Sequence, residues 1–263
     1  MITDPFFYFL AIIAVFLQGM GKGGLRGIGL LAVPVMSIAI PFLQAVAILL
    51  APLIFMDFVT AYRYRKMWDW KIVRFITPLT FVGVIIGTIL FKYISEDHIR
   101  VVIGIIALWF GLDYFLRDTS KEPKKPSKLA GFIWSTAGGF TSFSIHAGGI
   151  PVSFYLLPQK LDRVVYSASV GLVFLFLNLF KIFPYYYLDQ LSITNIYTAL
   201  MLLPLAPLGV YFGAYLVNRV GQEWFYKFSY SCLVIVGIKF LSLIHISEPT
   251  RRTPISYAVF CLK

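Results

Sequence analysis

Long apolar segments alternate with short charged segments along most of this chain. Ala45–Tyr62 is one such segment, and Asp57 is its single acidic residue. Five further apolar runs are close to or longer than the roughly 20 residues that a helix needs to cross a bilayer: Ile72–Phe91, Ile99–Leu116, Val164–Phe180, Ile193–Val217 and Phe225–Leu243. The pattern predicts an all-α polytopic membrane protein.

The proline and glycine positions within these segments occur twice. Pro78, Gly83, Gly87 and Gly111 recur as Pro204, Gly209, Gly213 and Gly237, each 126 positions later. Glycines four positions apart lie on one helix face and allow a second helix to approach closely. We therefore expect two homologous transmembrane repeats, residues 1–116 and 129–243, joined by a basic cytoplasmic linker at residues 117–128.

Each repeat opens with two short apolar stretches around a glycine-rich break. The breaks are Gly21–Gly27 and Gly138–Gly149, flanked by Phe6–Met20 and Ile28–Leu43 in the first repeat and by Leu129–Ala137 and Ile150–Leu157 in the second. Fifteen helical residues rise about 22 Å, which is less than the ~30 Å hydrocarbon core. Each opening pair is therefore either one broken span or a re-entrant hairpin, and three spanning helices follow it. Duplication with a broken first segment is typical of secondary transporters.

The basic residues bear on the orientation of the two repeats. Two basic loops, Arg63–Arg74 and Arg117–Lys128, flank the spans. If each opening pair enters and leaves on the same side, the repeats are inverted and both loops lie inside, together with Lys160, Arg163, Arg219 and Lys227. If each pair crosses once, the repeats are parallel and those four residues move outside. The positive-inside rule favours the inverted repeat, and the parallel arrangement stays open as the alternative.

The composition agrees with a membrane protein and excludes several other classes. The chain is 59% hydrophobic and 13% charged, with a mean hydropathy of +0.81, against roughly 25% charged residues in soluble domains. Its net charge of +11 lies between the spans, so we interpret it as orientation and contact with anionic lipid, not as nucleic-acid binding. Neither the three histidines nor the two cysteines have the spacing of a metal site or disulfide framework. We expect no cofactor, no metal and no enzymatic activity.

The first break is one half of the predicted substrate site. Backbone groups that leave a helix inside a membrane need partners from protein or a hydrated cavity, and a helix that begins after a break directs its positive end into that cavity. Gly23 and Gly24 would allow a ligand to approach the backbone, and Lys22 and Arg26 would supply positive charge. The alternative for both cations is a location at the interface, where they would extend into the headgroups.

The second break and the span after it provide the other candidates. The predicted substrate-binding residues here are Ser142, Ser144, His146, Gly148, Gly149 and Asn178. The alternatives are a core histidine bonded to a carbonyl and serines bonded to their own helix. Asn178 would offer an amide donor to an anion. Asp57 and Lys181 are possible coupling groups or charge partners: Asp57 would pair with Lys22 or Arg26 or carry a proton, and Lys181 would add charge or extend to the surface.

The last residues depart from this pattern. Ser247–Pro254 has no helical periodicity and lies outside the duplication. It is similar to translated sequencing-adapter read-through at the end of an assembled fragment. We therefore predict that residues 244–263 are a non-family tail produced by sequencing or assembly, the alternative being a genuine disordered tail.

Several of these motifs together resemble the TauE/SafE family of sulfite exporters and related permeases. Gly19–Gly24 followed by Ala32–Pro34, and Gly139–Phe143 followed by His146–Gly149, carry the resemblance. It extends over about residues 8 to 243. One departure is Ile150, where the family pattern leads us to expect a second proline beside Pro151; Arg26 is also unusually basic for its position.

The resemblance implies a secondary transporter in the bacterial inner (plasma) membrane. Its substrate would be a small anion, sulfite or an organosulfonate, and transport would be linked to the proton gradient. Its partners would be that anion and the lipid bilayer. A second copy of the chain, in a homodimer, is a further possible partner. The alternatives are a passive anion channel and a transporter of non-sulfur organic anions.

Overall fold

The structure is a computed structural model that describes residues 2–25, 28–91, 93 and 127–247, with nine positions between 101 and 116. All the regular structure in this part of the chain is helical. The helices are α1 Pro5–Gly23, α2 Ala32–Met36, α3 Phe42–Arg63, α4 Trp70–Leu90, α5 Lys128–Ile145, α6 Gly149–Leu156, α7 Arg163–Tyr187, α8 Ile193–Leu202, α9 Leu205–Arg219 and α10 Gln222–Ser247. Short 3-10 turns occupy Ile28–Leu31 and Leu157–Gln159.

Within the described residues, α1, α3, α4 and α7 are each long and apolar enough to cross a membrane. Helices α8 and α9 form a fifth candidate with a bend of 49° between them. The single run predicted over Ile193–Val217 is thus two helices. Pro204 precedes α9, and a proline lacks the N–H that would continue the ladder of α8. The prediction of an all-α polytopic membrane protein is confirmed.

Polar caps fix where several of these helices begin. Asp4, Asp69 and Asp162 accept backbone N–H groups in the first turns of α1, α4 and α7 over 2.7–3.0 Å. Ser127 and Ser192 do the same for α5 and α8. A short polar side chain at this position satisfies one of the four donors that a helix start leaves unpaired. The loops between apolar runs therefore define sharp helix starts.

Both breaks are shorter than the sequence pattern indicated. Helix α1 continues through Gly23, and Gly24 then adopts a φ of 139°, a conformation that favours glycine. Helix α5 continues to Ile145, and the chain turns at His146, whose φ is 55°. The prediction that the second break starts at Gly138 was wrong because Gly138 is helical and packs against α6. Helix α10 runs four residues past the predicted repeat end at 243, and residues 248–263 lie outside the described residues.

The opening helices pack through glycine against spans from the other half of the chain. Helix α1 lies on α9, where a Cβ added at Gly19 would come within 2.9 Å of the Gly209 Cα. Helix α4 lies on α5, where a Cβ at Gly83 would overlap the carbonyl of Thr136. Backbones approach this closely only where side chains are absent. The two halves are therefore intertwined and do not stand side by side.

Two other helix pairs join the halves in antiparallel directions. In α3 and α7, Asp57 lies opposite Asn178, and Tyr64 packs with Ala168. In the second pair, helical positions described between 101 and 116 lie along α10: Gly111 lies against Tyr230 and Val234, while Gly237 lies against Gly104 and Leu108. In both pairs the residue number rises on one helix as it falls on the other. The members of each pair therefore run in opposite directions.

Replacing Gly83 by alanine should separate α4 from α5. The new methyl group would meet backbone of α5, which cannot rotate away, and forced overpacking costs about 1–3 kcal/mol. We expect Gly83→Ala to lower the melting temperature of the detergent-purified protein, measured by loss of the monodisperse peak after heating.

Gly221→Ala is the matched control because no described atom lies within 4 Å of the Cβ position at Gly221. Its melting temperature should equal that of the wild type. Equal melting temperatures for Gly83→Ala and Gly221→Ala would show that the α4–α5 contact is not as close as described.

Candidate functional site

A small cavity with polar and apolar lining lies where the two breaks meet α3 and α7. Its volume is about 40 Å³, and its lining includes Gln18, Lys22, Ser142, His146, Gly149 and Asn178. Five of these six are residues that the sequence predicted for substrate binding. A cavity of this size holds no more than a few water molecules. The structure thus brings residues from both breaks around one space.

Lys22 forms a buried ion pair with Asp57. Its Nζ lies 2.6 Å from Oδ1 of Asp57, and the side chains are 8% and 0% exposed. The ammonium also lies 4.9 Å from the centre of the Phe174 ring. Lys22 therefore does not extend to the headgroups. Of the two cations proposed as partners for Asp57, Lys22 is in contact with it. Arg26 lies outside the described residues.

The second carboxylate oxygen of Asp57 fixes the orientation of Asn178. The amide nitrogen of Asn178 donates to Oδ2 of Asp57 over 2.6 Å. A carboxylate can only accept, so this nitrogen must face it. The amide oxygen of Asn178 is buried and has no hydrogen-bond partner among the described residues. The Asn178 amide, which we expected to donate to an anion, therefore donates one of its N–H groups to Asp57.

Lys181, on α7, is fully buried. Its Nζ donates to the carbonyl oxygen of Ser142 over 2.8 Å and to the hydroxyl oxygen of the same residue over 3.3 Å. A third contact, 2.8 Å, joins Nζ to Nδ1 of His146. Lys181 therefore belongs to the site and does not extend to the surface.

His146 bridges Lys181 and the start of α3. Its Nε2 lies 2.8 Å from the carbonyl oxygen of Val46. A carbonyl only accepts, so we assign the ring hydrogen to Nε2, which leaves a lone pair on Nδ1 facing Lys181 when the ring is neutral. The carbonyl contact agrees with the core-histidine alternative, but the contact to Lys181 and the place in the cavity lining go beyond it.

Four side chains from α3 and α7 hold the carbonyl groups at the ends of α1 and α5. Thr60 and Tyr64 donate to the carbonyls of Lys22 and Gly23, over 3.3 and 2.7 Å. In the other half, Lys181 and Tyr185 donate to the carbonyls of Ser142 and Phe143, over 2.8 and 2.7 Å. These contacts satisfy backbone groups that the breaks expose.

Sequence reasoning missed Thr60, Tyr64 and Tyr185. A signal was present, because Tyr64 and Tyr185 are 121 positions apart, as are Asp57 and Asn178. The repeat spacing of 126 was read from the glycine spans only. A search at a spacing of 121 positions in α3 and α7, the spans that precede those glycines, would have identified the two tyrosines.

The remaining predicted residues occupy different places. Ser144 donates to the carbonyl of Phe140 on its own helix over 2.9 Å, as the alternative anticipated. Gly23 faces the backbone of α9, and Gly148 lies against α5, where an added Cβ would come within 2.6 Å of the Ser142 Cβ. Gly149 lines the cavity, and no described atom lies within 4 Å of its Cβ position.

A comparison with known protein families gives one match over most of the chain. The model described as "Sulfite exporter TauE/SafE" matches residues 8–240. No curated protein and no solved structure matches the chain. The matched range includes every described residue of the site.

Removing only the positive partner of the ion pair should destabilise the protein. In Lys22→Met, Asp57 stays buried without its counter-charge, and breaking a buried pair in this way costs about 3–5 kcal/mol. The double variant Lys22→Met/Asp57→Asn removes both charges and should recover most of the lost melting temperature, measured on purified protein in detergent.

Lys227→Met is the control for losing a lysine that has a carboxylate partner. Lys227 pairs with Glu223 over 2.7 Å, but the two side chains are 59% and 79% exposed, and such pairs contribute little. A melting temperature of Lys22→Met equal to that of Lys227→Met would contradict the buried pair.

Proposed function

Because the chain belongs to the sulfite exporter TauE/SafE family, we propose that it is a secondary transporter that couples sulfite or an organosulfonate to the proton gradient across the bacterial inner membrane. The family implies a membrane transporter of sulfite or related anions and no enzymatic activity. The particular anion, the coupling and the site are our proposal.

The charge of the buried site is the observation that supports this function best. Among the described residues, the site contains two lysines, Lys22 and Lys181, and one carboxylate, Asp57. With His146 neutral, two protonated lysines leave one unbalanced positive charge. Charges this deep in a membrane protein are costly and usually functional. A monovalent anion would balance the site.

The surroundings of the cavity also suit an anion. Gly149 begins α6 and leaves the cavity open at its backbone, and the start of a helix carries partial positive charge. We place the anion between Lys22 on one side and Ser142, His146 and Gly149 on the other. Asp57 and Asn178 hold Lys22 in position, and Lys181 supplies charge from behind Ser142.

The antiparallel pairs support an inverted repeat. Gly111 and Gly237 are 126 positions apart, and so are their neighbours Leu108 and Val234. Equivalent helices that run antiparallel and make equivalent contacts are related by a two-fold axis perpendicular to them. Such an axis lies in the membrane plane, as in transporters with inverted repeats. In this arrangement Lys160, Arg163, Arg219 and Lys227 lie on the cytoplasmic side together with both basic loops, as the positive-inside rule favours.

Flux measurements on the reconstituted chain test the function. We expect saturable uptake of sulfite or sulfoacetate into liposomes, driven uphill by an imposed pH gradient, with sulfate as the third anion tested. Gly149→Leu should abolish this uptake by filling the cavity; a Cβ at this position meets no described atom within 4 Å, and a monodisperse peak in detergent checks that the variant is folded. Gly221→Leu, at an equally open position outside the site, should retain it.

The other outcomes separate the alternatives. Flux that only follows the anion's own gradient would indicate a passive channel. Absence of flux for every sulfur anion, with folded protein, would exclude the proposed substrate class and direct the search to carboxylates. Full activity in Gly149→Leu would exclude this cavity as the substrate site.

Reporter fusions test the orientation of the repeats. Inverted repeats place the position after Phe91 outside and the positions after Leu157 and Val217 inside; parallel repeats place all three outside. We therefore expect alkaline phosphatase to be active after Phe91 and inactive after Leu157 and Val217. Phe91 is the internal control, and activity at the other two positions would exclude the inverted arrangement.

A further inference from the structure

Lys181 differs from Lys22 in that the groups in direct contact with it are neutral. Its three polar contacts are the Ser142 carbonyl, the Ser142 hydroxyl and the His146 ring. Among the described residues no carboxylate lies within ion-pair distance of it, whereas Lys22 lies 2.6 Å from Asp57. An ammonium buried without a counter-charge is strongly disfavoured. The site is therefore more stable if Lys181 is charged only when an anion is present.

The contacts of Lys181 suit both of its protonation forms. The ammonium can donate to all three acceptors, and the neutral amine can donate to the Ser142 carbonyl and to Nδ1 of His146. In the neutral form the Ser142 hydroxyl can donate to the amine lone pair, since a hydroxyl both donates and accepts. Loss of the proton therefore leaves no broken hydrogen bond at Lys181.

The Lys181–His146 pair can hold at most one additional proton. The Val46 carbonyl fixes a hydrogen on Nε2 of His146, so protonation of the ring places the second hydrogen on Nδ1. An ammonium and this N–H would then face each other over 2.8 Å with no lone pair between them. The charge of the pair is therefore zero or one, and the proton can lie on either nitrogen.

The other charged groups that face the pair balance each other. Lys22 on α1 and Asp57 on α3 neutralise each other. Tyr185, on the same helix as Lys181, donates its hydroxyl hydrogen to the carbonyl of Phe143, and its ring lies 5.7 Å from Nζ. Ser142 on α5 does not titrate. The whole site therefore alternates between no net charge and one positive charge.

We propose that the Lys181–His146 pair carries the coupling proton and that one proton crosses with each monovalent anion, so that transport is electroneutral. The inference rests on the proposed function and deepens it. The proton enters from the aqueous phase on one side of the membrane, resides on the Nζ–Nδ1 pair, and leaves with the anion on the other side. The only covalent change is this proton transfer: an O–H bond of hydronium breaks as the N–H bond forms, and the reverse occurs when the proton is released to water on the other side.

The Ser142 hydroxyl links the proton to the anion. When Lys181 is charged, the hydroxyl oxygen accepts from it, and its own hydrogen is free to point into the cavity that Ser142 lines. When Lys181 is neutral, the same hydrogen is drawn to the amine. The cavity therefore offers a donor to an anion only in the protonated state. In this scheme Lys181 shares the coupling proton with His146 and acts on the anion through Ser142.

The test uses the full chain in liposomes with isethionate, a monovalent sulfonate of fixed charge, and with sulfite in parallel at a pH where hydrogen sulfite dominates. A pH gradient at clamped zero potential should drive uptake, and a valinomycin potential of either sign without a pH gradient should not. At equilibrium, about one pH unit should give about tenfold accumulation, because a factor of ten in proton activity balances a factor of ten in anion activity. A pH dye should record one proton per anion.

The variant Lys181→Arg separates coupling from binding. Arginine stays protonated in proteins, so the site would hold its positive charge permanently. We expect exchange of internal for external anion to persist, the pH-driven tenfold accumulation to disappear, and uptake to follow the membrane potential. Lys227→Arg, at an exposed position outside the site, should retain the wild-type coupling.

The outcomes distinguish this inference from the proposed function. Potential-driven, saturable uptake by the wild type would overturn the inference and leave the transporter in place; this holds even if Lys181→Arg fails to fold. Proton-coupled accumulation by folded Lys181→Arg would also overturn it. Absence of any protein-dependent flux would overturn the proposed function and the inference together.

Discussion

The structure at the centre of this protein depends on backbone carbonyl groups that lose their helical partners inside a membrane. Helices α1 and α5 end near the cavity, where lipid offers no hydrogen bonds and each unpaired group is costly. Side chains of α3 and α7 satisfy these ends, with Tyr64 bonded to Gly23 and Tyr185 bonded to Phe143, both over 2.7 Å. The breaks can therefore exist only where α3 and α7 pass them. This requirement fixes the position of the site.

The two halves meet this requirement with the same geometry but with different charges. Thr60 and Lys181 are 121 positions apart, and each donates to the carbonyl of a residue near the end of an opening helix. Asp57 and Asn178, at the same spacing, meet each other. One half thus contributes an acid where the other contributes an amide, and a hydroxyl where the other contributes an amine. The carbonyl contacts are thus alike in the two halves, and the charges of the side chains differ.

Sequence patterns predicted the parts of this arrangement that depend on local composition. Apolar length predicted the spans, and a lysine and a histidine beside glycine-rich segments predicted the cavity lining, because such residues are rare in lipid. The extent of the breaks was not predictable in this way. Glycine serves both a turn, as at Gly24, and a close helix contact, as at Gly139, and the sequence does not separate the two.

The sequence pattern also did not predict which polar side chains pair with each other. Asp57 was open to either Lys22 or Arg26, and the structure brings Lys22 to it where Thr60 and Tyr64 of α3 bind the end of α1. The structure also differs from the predicted role of Asn178, because that role depends on a neighbour which the sequence pattern does not reveal. An amide beside a carboxylate must turn its nitrogen toward it, and that neighbour is 121 positions away in the chain. Such contacts follow from helix crossings, which single residues do not reveal.

The same contacts determine which parts of the molecule can move relative to one another. At α1–α9 and α4–α5 the helices touch backbone to backbone through glycine, so a small shift already produces overlap. The contacts between these pairs and α3 or α7 are made by side chains, such as Lys22 with Asp57 and Lys181 with Ser142. Side-chain contacts can exchange partners without overlap. Rearrangement therefore requires the least free energy at the polar contacts that surround the cavity. An anion bound there would act directly on the side-chain contacts that must change.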